Sequence, residues 1–179
     1  MSESREDVRL LLQRLRDGTL PPASLTEDAT YHAIHALGRA EVAEAIPLSE
    51  RYVTHADAQY RYVALEVLTN HFRLRRHWPT AVAALRQDPD DHVRLGAAAA
   101  LGHLMADTND PVTLREPAIT LSHPHEDDHV RRAAWAAMRA VEHYDAREQR
   151  DLALHSTHLE RDVDWGWVRA SLPSDAATS

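Results

Sequence analysis

Apolar residues recur along this chain at helical spacing, and the recurrence itself repeats. Val93, Ala97, Ala100, Leu101 and Leu104 form one such set, and Val130, Ala134, Ala137, Met138 and Val141 form another. Tyr60, Ala64, Val67 and Leu68 give a shorter copy, and Ala29, Ala33, Ala36 and Leu37 a weaker one. Spacing of i, i+4, i+7 and i+8 is one buried face of an α-helix. Two of these helices follow the same phrase, DDHVR, ending at Arg94 and again at Arg131, 37 residues apart. Arg61 lies 33 residues before Arg94, Arg169 lies 38 after Arg131, and Thr30 takes the equivalent place 31 before Arg61. A self-similar period of this length is the mark of a repeat architecture.

A second helix is expected ahead of each anchored one, over 4–17, 41–55, 77–87, 112–122 and 146–160. Pro47, Pro79 and Pro117 fall 14 or 15 residues before their anchors. An interior proline removes a helical hydrogen bond and kinks the helix, so the shared phase predicts a repeated bend. Asp91 and Asp128 open the anchored helices and are expected to cap them. A cap is worth about 1 kcal/mol and suits the positive helix terminus. The expected organisation is one domain over 1–172, with a flexible tail over 173–179.

Together these features resemble the HEAT repeat family. Its repeats are antiparallel helix pairs with a proline in the first helix and an Asp and an Arg opening the second. The matching residues are Pro47, Asp57 and Arg61; Asp91 and Arg94; Pro117, Asp128 and Arg131. DHVRLGAAAALG fits the bacterial HEAT-like pattern D-x-V-R-x-x-A-x-x-A-L-G closely, and the resemblance spans about residues 20–172. The first copy departs from it, with Thr30 in place of the arginine. The resemblance implies an all-α fold, an α-solenoid of about four to five HEAT-like antiparallel helix pairs in a right-handed superhelix. It also implies that Asp and Arg bridge neighbouring repeats.

Composition narrows the chemistry. Few glycines and abundant alanine and leucine favour helix over sheet. The absence of cysteine excludes thiolate metal sites and a cysteine nucleophile. A net charge of −8 disfavours a phosphate-backbone partner, which needs clustered Lys and Arg. The charged N-terminal stretch lacks the apolar run of a signal peptide, and no membrane span is expected. The expected location is the cytoplasm. No phosphate loop, dinucleotide fingerprint or G-x-S-x-G serine motif occurs.

Candidate function therefore rests on surface. Positions one, five and eight after each anchor face away from the buried stripe. They give Tyr31, His35 and Gly38; Tyr62, Glu66 and Thr69; Leu95, Ala99 and Gly102; and Arg132, Ala136 and Arg139. In a right-handed solenoid these would line the concave surface. Tyrosine and arginine are common binding anchors. Tyr31, His35, Tyr62, Glu66, Arg132 and Arg139 are thus the candidate contacts for a protein or peptide partner, with no cofactor.

Enzymatic alternatives have weaker support. His123, His125, Glu126 and His129 crowd one turn and offer ligands suited to zinc or iron, but no distant fourth ligand is evident. Deoxyhypusine hydroxylase, a HEAT-like di-iron enzyme, carries His-Glu pairs where this chain has Leu95-Gly96 and Arg132-Ala133. Bilin lyases share the repeat, but nothing here supports bilin chemistry. DNA alkylation-repair glycosylases use aromatic residues and an aspartate, for which Asp164, Trp165, Trp167 and Arg169 are the nearest counterparts. Trp135 shares a register position with Ile34, Leu65 and Ala98, which assigns it to the core.

Overall fold

Every element of the described chain is helical, as the periodicity predicts. The computed structural model describes residues 27–143 and 158–173, with isolated positions 9, 10, 13, 14, 17, 145 and 147. Most of the predicted helix over 4–17, most of that over 146–160 and nearly all of the tail lie outside the described residues. The elements are α1 (Glu27–Arg39), α2 (Ala45–Tyr52) and α3 (Ala58–Glu66), which runs into a π-helical turn at Val67–His71. After a 3-10 turn at Arg75–His77 come α4 (Trp78–Gln87), α5 (Asp91–Leu104), α6 (Pro111–Ser122), α7 (Asp128–Glu142), α8 (Leu159–Asp162) and α9 (Trp165–Ser171). None of these is long and apolar enough to cross a membrane.

The contacts divide the chain into two compact units, Met1–Leu74 and Arg75–Ser179. In the first, α1, α2, α3 and the π-turn pack around Ile34, Leu37, Ala45, Leu48, Tyr60, Val63 and Val67. In the second, α5 packs against α4 and α7, and α7 also packs on α6. Ala33, Ala36 and Leu37 of the first stripe and every residue of the other three are buried. Trp135 is buried with its register mates Ile34, Leu65 and Ala98.

The caps fall one residue earlier than expected. Asp90, not Asp91, caps α5 by accepting from Val93 N–H, and Asp127, not Asp128, caps α7 by accepting from His129 N–H. A capping aspartate needs extended backbone, which Asp90 has at ψ 126°. Its follower is already helical. Asp57 and Asp164 cap α3 and α9 in the same way.

The prolines do not share one role. Only Pro117 sits inside a helix, whereas Pro79 occupies the first turn of α4. Pro47 is the third residue of α2. A first-turn N–H has no intrahelical acceptor, so proline there costs little and forces no kink.

The anchor arginines tie turns together. Arg61 donates to the carbonyls of His55 and Ala56, and Arg131 to that of Leu121. Arg94 does more. Its guanidinium bonds the Asp88 carbonyl at 2.9 Å and grips both carboxylate oxygens of Glu126, in the turn before α7. Burial alone would raise the Glu126 carboxyl, but the hydrogen bonds from Arg94 and from Asp127 N–H hold it below its ordinary value. Removing one partner of such a charge-assisted, half-buried pair costs about 1–3 kcal/mol. Glu126→Ala is expected to lose that amount in urea unfolding at pH 7. The folded pKa is depressed, so the increment is complete above the unfolded glutamate value of about 4.3 and lost as pH falls through the folded value. Wild type and variant should converge in acid. Equal stability at pH 7 would contradict the clamp.

Candidate functional site

Four of the six face residues fall in the first unit, and the fold assembles them. Tyr31 and His35 lie one turn apart on α1 and their rings stack at 6.3 Å, nearly parallel. Tyr62 and Glu66 lie one turn apart on α3. His35 Nε2 approaches Glu66 Oε2 to 3.7 Å, and both side chains are about a quarter exposed. Burial raises the Tyr31 and Tyr62 phenols, and the Glu66 carboxylate adds to both. These hydroxyls stay protonated at neutral pH.

A fifth residue joins them that the periodicity did not indicate. His71 lies with its ring centroid 6.0 Å from that of His35, at 72°. One ring nitrogen of each histidine and a carboxylate oxygen of Glu66 all fall within 4.8 Å of one another. His71 Nε2 is enclosed and has no hydrogen-bond partner, which costs about 1–3 kcal/mol when nothing relieves it. Burial pushes the His71 imidazolium down, against the pull of Glu66, so the ring favours its neutral form.

The π-turn puts His71 there. Five residues advance an α-helix by about 500°, leaving residues 66 and 71 about 140° apart. A turn closed by i→i−5 bonds brings them close to one face. Phe72 N–H donates to the Val67 carbonyl at 3.1 Å in that pattern. The buried Thr69 hydroxyl donates to the Leu65 carbonyl at 2.7 Å, a back-bond that bends helices. Arg73, with φ 48°, then ends the turn. Gly38 completes the fit. A Cβ at Gly38 would stand 2.5 Å from Val67 Cγ2 and 3.3 Å from His71 Cδ2, so only glycine lets α1 lie this close to the π-turn.

The small face residues serve packing rather than exposure. Gly38, Thr69 and Gly102 are buried, and Ala136 is nearly closed off. Gly102 of α5 rests on the backbone of Ala137 in α7. Ala99, by contrast, is half-exposed.

In the second unit, Arg139 pairs with Glu142. Arg132 borders an open cleft of about 420 Å³ with Asp128, Arg131, His158, Glu160 and Arg161. The histidine-rich turn does not form a ligand set. His123 and His125 are 6.0 Å apart by ring centroid, but both oxygens of Glu126 belong to Arg94. Of Asp164, Trp165, Trp167 and Arg169, the aspartate is spent capping α9, Trp165 donates to the Glu160 carbonyl, and Arg169 is exposed.

No protein-family model, curated protein or solved structure matches the chain.

Proposed function

We propose that the chain is a non-catalytic protein-interaction module, an α-solenoid of HEAT-like helix pairs that binds a peptide or protein along the exposed face of its second helices. The repeat reading is supported by aspartate caps at Asp57, Asp90, Asp127 and Asp164 and by the arginine that reaches back from each of α3, α5 and α7 to a preceding turn. The binding reading rests on one observation. Tyr31 and Tyr62, half-exposed, come from two helices to flank His35 and Glu66. Tyrosine supplies a large contact area at low entropic cost, and a carboxylate between two rings favours a partner carrying Lys or Arg.

The test is capture from the native host with the full chain as bait, comparing wild type with Tyr31→Ala/Tyr62→Ala. A partner retained by wild type should fall at least about tenfold with the variant, since a pair of hot-spot tyrosines carries more than the 1.4 kcal/mol that tenfold requires. Equal recovery by a variant with an unchanged helical spectrum would end this assignment.

A further inference from the structure

The geometry points to a divalent transition-metal site of the zinc type at His35, Glu66 and His71. The inference goes beyond partner binding and stands if that reading fails.

Three features converge. The first is distance. Zinc holds nitrogen and oxygen ligands at about 2.0–2.2 Å, so tetrahedral ligand atoms lie about 3.3 Å apart. Here His35 Nε2 and Glu66 Oε2 are 3.7 Å apart and the whole set lies within 4.8 Å. Side-chain rotations of about an ångström close that gap. The second is the lack of a hydrogen bond. A spacing of 3.7 Å is too long for a hydrogen bond, so His35 and Glu66 face each other without one. His71 Nε2 is buried with no partner. The third is the backbone. The π-turn carries His71 toward Glu66, and Gly38 lets α1 lie against that turn. Two costly local features serve the same three side chains.

The donors select the ion. Neutral imidazoles with one carboxylate suit zinc, copper, iron or nickel, whereas calcium and magnesium require oxygen shells. Among the described residues this is the one group of three or more His, Cys, Asp or Glu side chains that converges in this way. Three protein ligands leave a fourth position for water or for a side chain of a bound partner.

The test uses full-length protein without an affinity tag, stripped with chelator and dialysed against zinc in excess magnesium. One zinc per chain is expected. His71→Ala and Glu66→Ala should each weaken binding by about tenfold or more, while His123→Ala/His125→Ala leaves it unchanged. Cobalt(II) bound to wild type should give the intense visible absorption of a tetrahedral nitrogen–oxygen site. No stoichiometric zinc would overturn the site. So would binding that survives His71→Ala and vanishes with His123→Ala/His125→Ala. A weak, water-like cobalt spectrum from wild type would overturn it even if the variants fail to fold.

Discussion

Replacing Trp135 with alanine is expected to destabilise the protein by about 3–5 kcal/mol, the range for emptying a buried large aromatic site. At about 4 °C per kcal/mol, the thermal midpoint should fall by roughly 12–20 °C. Trp135 sits in the middle of α7, only 8% exposed, with Ala134, Ala136, Ala137 and Met138 buried around it in sequence. It is the largest side chain on a helix that packs against both α5 and α6. A close-packed core relaxes only partially into such a space. A tryptophan serving as a ligand platform would be half-exposed and its removal nearly neutral for stability. Trp135→Phe should recover most of the loss, since it keeps an aromatic body in the cavity. A drop of less than about 1 kcal/mol for the alanine variant, by urea unfolding, would move Trp135 out of the core.

Trp135 was legible from sequence because its register mates are apolar, and a strict 3.6-residue period translates directly into burial. The stripes of α1, α3, α5 and α7 were legible for the same reason. The exact cap was not. Two adjacent aspartates in each DDHVR satisfy the composition rule equally, and only backbone dihedral angles separate Asp90 from Asp91. The prolines misled because phase within a repeat does not fix where a helix starts. Pro79 lies in the first turn of α4, while Pro117 lies inside α6.

His71 escaped because the period itself breaks. Ten residues after its anchor, it occupies the register place of Leu104 and Val141, both buried in the core. The π-turn rotates it off that stripe toward Glu66. The sequence signal is faint: a histidine in an apolar slot, two residues after a threonine able to bond back to Leu65. Tyr31, His35, Tyr62 and Glu66 are all half-exposed. Gly38 and Gly102 are buried, because a helix packed between others is covered on its flanks as well as on its main apolar face, and periodicity does not say which flank.

The sharpest consequence of that flank packing is expected at Gly102. Alanine substitution at an ordinary helical glycine stabilises by about 1 kcal/mol. At Gly102 a Cβ would stand 2.9 Å from Ala137 Cα and 3.2 Å from Ala137 Cβ, with Ala140 Cβ at 3.4 Å. The nearest atom is backbone in α7, so no rotamer change relieves the contact. The corner is also fastened. Asp107 and Asn109, both with positive φ, donate backbone N–H groups to the carbonyls of Ala140 and Val141. Moving α7 outward would strain those bonds as well. Overpacking of this kind costs about 1–3 kcal/mol, and more when several atoms are added. Gly102→Ala should therefore be net destabilising despite its helix propensity, and Gly102→Val should lose about 3 kcal/mol. A double-mutant cycle with Ala137→Gly separates the two effects, since that partner loses its Cβ. Gly102→Ala should be less harmful in the Ala137→Gly background by at least about 0.5 kcal/mol. A Gly102→Ala variant more stable than wild type by the full propensity increment would mean that α5 and α7 do not touch there.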